Sequence, residues 1–255
     1  MIPQIKQIET LIDQFIESHP NIYDAIGYSV YTYDNHYIPR VTAIIHRCIH
    51  DDGLMQWANY LGWKHQSYEQ ILTNSAIIGT QCHKLIDEYI DTQAPPDVTD
   101  IIPEASMGFA SFAKWYKDKA ERYNVNVISH ERTLSCKYFG GTLDGLIQIN
   151  NKTFLIDYKT GNHIGFTYCM QLAAYAYMLE KLTSYKLDGV LLIQLCKQKP
   201  DYNEFGLRLD NEVHATFFND CMYTYLCMVL YYYQLINLEF NYTSIGWPVY
   251  GNSSG

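Results

Sequence analysis

The chain is short of basic residues: lysine and arginine together number 18 among 255 residues, against 27 acidic residues. The formal net charge is therefore −9, which excludes a protein that coats a polyanion by electrostatic attraction alone. A confined basic patch, or cations held between acidic side chains and a polyanion, is compatible with this balance. The hydrophobic content of 48% with 18% charged residues is typical of a globular protein and excludes a disordered one.

The chain also lacks the patterns of a leader peptide, a membrane span and a paired-cysteine framework. No basic segment followed by an apolar run stands at the N-terminus, and the apolar segment 221–236 is too short and too tyrosine-rich to cross a bilayer. We therefore expect no membrane partner. The cysteines are odd in number and have no short pair spacings, which predicts free thiols in a reducing cytoplasm. They are Cys48, Cys82, Cys136, Cys169, Cys196, Cys221 and Cys227.

The most informative stretch, 140–178, predicts two strands joined by a tight turn and followed by a helix. Asn150 and Asn151 are the predicted turn residues, because asparagine tolerates the positive φ that tight hairpin turns require. If these two residues form the turn, Gln148 pairs with Thr153, and every other pair in the hairpin follows from the same count.

This register predicts two carboxylates side by side. Asp144 faces Asp157 with about 4.5–5.5 Å between their Cβ atoms, and Lys159 lies on the same face because side chains alternate along a strand. Such an oxygen-rich pair suits Mg²⁺ or Mn²⁺. A neighbouring lysine can orient or deprotonate a metal-bound water, or neutralise charge on a phosphoryl oxygen, so the pattern indicates phosphodiester hydrolysis. The opposite face is predicted to be core: Leu143, Ile147, Phe154 and Ile156.

The alternative reading is a hairpin with ordinary surface charges, since an aspartate two residues before a lysine occurs by chance in many chains. Taken singly, that reading is the better one. The coincidence of register, apolar opposite face and following helix favours a site.

Four short motifs follow one another in a fixed order: G-T-Q-C-H at 79–83, G-G-T-L-D at 140–144, L-I-D-Y-K-T-G at 155–161 and Q-L-A-A-Y at 171–175. Together they resemble the PD-(D/E)XK nuclease superfamily, in particular its RecB-type branch with the additional Q-x-x-x-Y motif. That branch includes phage recombination exonucleases, the mitochondrial genome maintenance exonuclease and CRISPR-associated exonucleases. The resemblance covers roughly residues 39–180, and four ordered motifs are far more specific than any one of them.

The resemblance implies an α/β fold with a restriction-endonuclease-like core, in which helices flank a mixed central β-sheet. We expect a single nuclease domain over 1–255, with a helical N-terminal elaboration over about 1–70 and a C-terminal helix over about 212–238. The implied catalytic residues are Asp144, Asp157, Lys159 and Glu131. The implied metal ligands are His83, Asp144, Asp157 and the backbone carbonyl of Tyr158. The candidate substrate-binding residues are Gln171, Tyr175, Arg40 and Thr160.

Several of these assignments have alternatives. A lone helical histidine such as His83 is more often a core or surface residue, and imidazole is a softer donor than Mg²⁺ prefers, so Mn²⁺ is expected to support activity. Glu131 can bind metal through water, hold Lys159, or form a salt bridge with Arg132. Arg40 can contact a DNA phosphate or be an ordinary surface cation.

The activity that the resemblance implies is a metal-dependent exonuclease on linear DNA, using one or two Mg²⁺ or Mn²⁺ ions in recombination, repair or replication, with a phage as one source that fits. The expected partner is DNA, and the resemblance also allows a second copy or a recombination or replication protein. One alternative is a structure-specific or RNA-directed endonuclease on the same fold. Another is an inactive nuclease fold kept as a binding subunit, although no motif residue is missing. The clustered late cysteines of iron–sulfur relatives are absent, so we expect no such cluster.

Periodicity predicts the remaining elements. His83 shares a helix face with Gly79 and Asp87, and Gly79 leaves room for substrate or a neighbouring backbone. The predicted helices span 3–18, 75–92, 103–123, a segment starting near 166, and 212–238. The predicted strands span 125–136, 187–196 and 204–209, with a small hairpin at 28–37.

Overall fold

One mixed β-sheet lies between two layers of helices in the computed structural model, which describes residues 3–50 and 52–244. The helices are α1 (Pro3–Ser18), α2 (Val41–Cys48), α3 (Asp52–Trp63), α4 (Tyr68–Thr92), α5 (Pro103–Ala120), α6 (Thr167–Leu182) and α7 (Glu212–Ser244). The strands are β1 (Thr32–Tyr33), β2 (His36–Tyr37), β3 (Val125–Ser135), β4 (Gly140–Ile149), β5 (Lys152–Lys159), β6 (Gly189–Leu195) and β7 (Tyr202–Arg208).

The sheet has the order β3-β4-β5-β6-β7, and its neighbouring strands are antiparallel except for the parallel pair of β5 and β6. The parallel pair is joined through α6, because parallel strands need a crossover connection. The mixed α/β architecture with helices on both faces is therefore confirmed.

The turn between β4 and β5 has the predicted conformation. Asn150 and Asn151 have φ angles of 50° and 63°, and Gln148 pairs with Thr153 as counted from the turn. The same chemistry makes the small hairpin of β1 and β2, where Asp34 and Asn35 have φ angles of 49° and 64°. The short polar side chains of these residues tolerate the left-handed region at low cost.

Two apolar clusters lie on opposite faces of the sheet. The α6-side core joins the sheet to α1, α2, α6 and α7, and the α4-side core joins it to α4 and α5. Members of the α6-side core include Ile8, Ile44, Leu155, Ala174 and Tyr225. Members of the α4-side core include Ile78, Phe112, Trp115, Ile147 and Ile156. The hairpin is thus buried on both faces, whereas the sequence predicted one apolar face.

The prediction was wrong for Leu143, which lies in the α6-side core with Leu146 and not in the α4-side core with Ile147. A regular strand would place residues 143 and 147 on one face. Leu143 and Leu146 lie three residues apart yet share one core, so the alternation along β4 is broken between them.

Helix boundaries differ from the predictions at three ends. Helix α5 ends at Ala120 instead of 123. Helix α4 begins at Tyr68 instead of 75, because the Ser67 hydroxyl accepts a hydrogen bond from the Gln70 N–H and caps the helix there. Helix α7 begins as predicted at Glu212 but continues to Ser244, beyond the predicted 238. All seven cysteines are free, as predicted. Among the described helices, none has the length and apolarity needed to cross a membrane.

Candidate metal centre

The site forms where β4 and β5 separate. The last pair between them is Gly145 with Ile156, so the predicted pair of Asp144 with Asp157 does not form as a rung of the ladder. Instead, Asp144 Oδ2 accepts a hydrogen bond of 2.7 Å from the backbone N–H of Tyr158. The carboxylate takes the place of a strand contact and lies 12% exposed.

Three potential ligands from three elements converge beside this point. His83 Nδ1 on α4 lies 3.6 Å from Asp144 Oδ1 and 3.6 Å from Glu131 Oε1 on β3. Their ligand atoms all lie within 4.8 Å of one another. One nitrogen and two carboxylate oxygens suit a divalent cation such as Mn²⁺, and Mg²⁺ less well.

The His83 ring is oriented by the backbone of β5. Its Nε2 donates a hydrogen bond of 3.1 Å to the Tyr158 carbonyl, which directs Nδ1 toward the carboxylates. Burial lowers the pKa of His83, but the charge of Asp144 and a hydrogen bond with Glu131 outweigh it and raise that pKa to about 9. The ring is therefore protonated at neutral pH, and a cation bound at Nδ1 replaces that proton.

Asp157 and Lys159 form a separate ion pair on β5. Lys159 Nζ lies 2.9 Å from Asp157 Oδ1 and 2.8 Å from Oδ2, and it also lies 5.0 Å from the centre of the Tyr168 ring on α6. The Asp157 side chain is 1% exposed, and burial raises its pKa against the lowering effect of Lys159. Asp157 is not one of the three clustered ligands, although the charge of Asp144 also raises its pKa.

One oxygen of Asp157 fits a cation. Oδ2 is buried and makes no directional hydrogen bond to any described residue, even though the Lys159 ammonium is close. A buried carboxylate oxygen is costly unless a cation or donor lies beside it, and the Lys159 ammonium at 2.8 Å supplies that charge. The donor atoms that fit a divalent cation are therefore those of His83, Glu131 and Asp144, and Asp157 as a ligand stays a prediction.

Glu131 lies beside His83, and neither Arg132 nor Lys159 is its ion-pair partner in the described structure. Its φ of 43° lies in the left-handed region, which costs an L-residue about 1–3 kcal/mol. Strand β3 also shifts register between Val127 and Ser129. Strained backbone of this kind is characteristic of functional sites.

The three ligands lie in a cleft of about 570 Å³. Its lining residues are Gly79, Thr80, His83, Lys84, Asp87, Glu131, Thr142 and Asp144. Thr142 was missed by the sequence analysis, although its place two residues before Asp144 puts it on the same face of β4. Thr160 packs toward the helices: its Oγ1 would lie 3.7 Å from a Cβ added at Gly79.

Gln171 and Tyr175 are buried between α6 and β4. Gln171 Nε2 donates a hydrogen bond of 3.1 Å to the Tyr175 hydroxyl, and a Cβ added at Gly141 would lie 2.5 Å from the Tyr175 ring. Burial raises the pKa of Tyr175, with smaller effects from Asp157 and Asp144. The pair packs against the start of β4. Contact of these two residues with substrate stays a prediction.

The structure does not bring Arg40 into the cleft of His83. Its backbone bridges to Gly140, and its side chain lines a different cleft of about 230 Å³ together with Tyr28 and Tyr232. A role for Arg40 in DNA binding therefore requires substrate that extends beyond the metal cluster.

A second group of potential ligands lies farther along α4. His130 contacts Asp87 through Nδ1, and its Nε2 lies 3.2 Å from Asp91 Oδ1. The sequence analysis missed this group, although His83, Asp87 and Asp91 recur every four residues on one helix face. Asp91 is 66% exposed, and exposed acidic groups of this kind are common without metal.

Comparisons with known proteins add little to this geometry. No family model matches the chain, and no curated protein matches it. A solved structure, the crystal structure of SSO0001, matches 83% of this chain and 81% of its own with 14% identity and a TM-score of 0.34. A similarity at that score carries no argument about fold family or function.

Proposed function

We propose that this chain is a metal-dependent deoxyribonuclease of the PD-(D/E)XK type that digests linear DNA from an end. The observation that carries the proposal is the buried ion pair of Asp157 and Lys159 next to the His83, Glu131 and Asp144 cluster. A hydrolase of phosphodiesters needs this combination, because carboxylates hold the cation while a separate positive charge acts on water or phosphate.

The residues that would hold the metal are the clustered His83, Glu131 and Asp144. Asp157 and the carbonyl of Tyr158 are the further ligands that the resemblance implies. Mg²⁺ or Mn²⁺ at these groups supplies Lewis acidity and a bound water of lowered pKa. The mixed imidazole and carboxylate set favours Mn²⁺ somewhat over Mg²⁺.

Lys159 acts as a positive charge and hydrogen-bond donor in this proposal. Burial lowers the pKa of Lys159, but the charges of Asp157 and Asp144 outweigh it and raise that pKa above its usual value. A protonated amine cannot serve as the general base. Lys159 would therefore orient the attacking water and neutralise charge that develops on the phosphoryl oxygens, without accepting the proton of that water.

Negative charge and DNA binding are compatible at this site. The cluster places two carboxylates around one imidazole, and a divalent cation held by these residues would supply positive charge for a phosphate. The preference for DNA ends is inferred from the resemblance of the four motifs alone. These motifs indicate that a phosphodiester bond is broken, but they say less about whether the enzyme recognises a DNA end.

The direct test is a digestion time course on linear duplex, single-stranded and covalently closed circular DNA, labelled at one terminus, with Mg²⁺, Mn²⁺ or a chelator. We expect release of nucleotides from linear substrates only, no reaction with chelator, and loss of reaction in Asp144→Asn. Cleavage of closed circles would replace the exonuclease with an endonuclease.

Calorimetric metal titration separates the enzyme from an inactive scaffold. We expect Mn²⁺ binding by the natural chain and weaker binding by Asp144→Asn. Absence of binding together with absence of cleavage would contradict the proposed function, and Asp220→Asn on α7 is a control for the loss of one carboxylate elsewhere.

A further inference from the structure

A second cleft, of about 350 Å³, opens beside the carboxyl end of β5, where the chain leaves Lys159 for α6. Four of its ten lining residues carry side-chain amides: Asn162, Gln194, Gln198 and Asn203. Lys199, Asp201 and Tyr202 also line it. Amides present both donors and acceptors, as the edges of nucleobases do.

The register of the sheet links this cleft to the candidate site. Lys159 pairs with Gln194 on β6, and Gln194 pairs with Asn203 on β7. Paired residues project on the same face, so three polar side chains form a row across the sheet with about 4.8 Å between strands. The row begins at the amine that acts on phosphate in the proposed function and ends in the amide cleft.

The amides are held in place before any ligand binds. Gln194 Nε2 donates to the Gly161 carbonyl at 2.8 Å, and Gln194 Oε1 accepts a hydrogen bond of 3.0 Å from Asn203 Nδ2. These two bonds hold the Gln194 and Asn203 amides in place, and neither bond uses the Asn203 side-chain oxygen. Preorganised polar groups lose little entropy when they bind a partner.

The loop between β6 and β7 forms the wall of the cleft, and a buried hydroxyl anchors it. Ser111 on α5 is fully buried, and its Oγ lies 2.7 Å from the Cys196 carbonyl and 3.1 Å from the Lys199 carbonyl. The same oxygen accepts a hydrogen bond from the Asp201 N–H at 3.0 Å. The loop also carries Lys199, whose Nζ lies 2.7 Å from Asp201 Oδ2, so the two charges balance each other at the edge of the cleft.

Asn162 provides a free recognition group. Its side-chain amide makes no hydrogen bond to any described residue, although it lines the cleft. An exposed amide opposite a fixed row of amides can reach the edge of a flat, polar ring without first breaking an internal bond.

We propose that the amide cleft is a nucleobase subsite, which holds a base of the DNA strand whose phosphate lies at Lys159. This inference rests on the proposed function, because it takes the ligand of the cleft from the substrate of the neighbouring site. The cleft contributes binding affinity and positions the DNA strand relative to Lys159. The groups on β4, β5 and α4 carry out the hydrolysis.

The test measures binding of fluorescent single-stranded oligonucleotides by anisotropy in Ca²⁺, with each of the terminal positions replaced in turn by an abasic residue. We expect Asn162→Ala and Asn203→Ala to weaken binding of the intact oligonucleotide by about 3- to 10-fold each, the value of one neutral hydrogen bond. At one abasic position the natural chain should lose the same affinity, and the variants should lose no more. Gln14→Ala removes an exposed amide on α1 and is the matched control.

The outcomes separate this inference from the proposed function. Cleavage in Mg²⁺ or Mn²⁺ without any difference between intact and abasic oligonucleotides would overturn the subsite and leave the nuclease. Discrimination against an abasic position without cleavage would support the subsite and overturn the nuclease. Equal losses in Gln14→Ala, or equal abasic penalties in the natural chain and the variants, would also overturn the subsite.

Discussion

The two ends of the β4–β5 hairpin differ in strand pairing and in the character of their side chains. Near the turn, pairing is regular from Ile149 and Lys152 to Gly145 and Ile156, and apolar side chains alternate between the two cores. At the other end the two strands no longer pair, and the apolar side chains stop alternating between the cores near Asp144. Polar side chains replace them, and Asp144 accepts a hydrogen bond from the Tyr158 N–H. The comparison teaches that local backbone preferences control one end, whereas buried charges control the other.

The largest expected effect is at the charged end. Asp157→Asn leaves the Lys159 ammonium without its counter-charge in a largely buried place, so we expect loss of DNA hydrolysis by at least about a hundredfold and destabilisation by about 2–3 kcal/mol. Activity is measured on end-labelled DNA and stability by urea unfolding. The double variant Asp157→Asn with Lys159→Met should regain stability but not activity. Failure of the double variant to regain stability would contradict an ion pair as the cause.

Metal affinity should depend steeply on pH, because the cation competes with the proton on His83. With a His83 pKa of about 9, the apparent affinity for Mn²⁺ should rise about tenfold per pH unit from pH 6 to 8, and then level off above pH 9. Calorimetry at three pH values measures this. His83→Ala should weaken binding and flatten the profile, and an unchanged slope in that variant would exclude His83 as a ligand.

The stability of the metal-free protein should change in the opposite sense. The folded pKa of His83 lies above its unfolded value of 6.5, so its contribution is complete below pH 6.5 and is lost as pH rises through about 9. We expect the free energy of unfolding to fall between pH 7 and 9, and to fall less in His83→Ala. Urea titrations across that range would show it, and an identical fall in the variant would assign the effect to other groups.

Two glycines of β4 test how tightly each end of the hairpin is packed. A Cβ at Gly141 would lie 2.5 Å from the Tyr175 ring, whereas at Gly145 the nearest atom, the Tyr158 hydroxyl, would be 3.7 Å away. Gly141→Ala should therefore cost about 1–3 kcal/mol through displacement of a buried ring, and Gly145→Ala should cost less. Thermal unfolding of both variants measures the difference, and equal losses would show that Tyr175 can move freely.

The smallest expected change in stability is at the turn between β4 and β5. Asn151 has a φ of 63°, so Asn151→Ala should destabilise the protein by about 1 kcal/mol, and Asn151→Gly should be neutral or slightly stabilising. Neither change should affect hydrolysis. A loss of activity in Asn151→Gly with unchanged stability would show that the two ends of the hairpin are coupled.

The expectations that came true rest on local chemistry. Asn150 and Asn151 specify the turn, the turn specifies the register, and the helical period places Gly79, His83 and Asp87 on one face of α4. The expectations that failed depend on distant packing. The predictions for Leu143 and for the pairing of Asp144 with Asp157 were wrong, because the position of this end of β4 depends on the strands and helices packed around it.

Sequence alone determined the turn, the register that follows from it and the helix face of the candidate residues on α4, since turn geometry and periodicity are properties of a few neighbouring residues. Only the tertiary structure decided that Glu131 lies beside His83, that Asp157 is held by Lys159 apart from the three-ligand cluster, and that an amide cleft adjoins them. These arrangements result from packing α4, α5 and α6 against the sheet, which brings together atoms that no local rule connects.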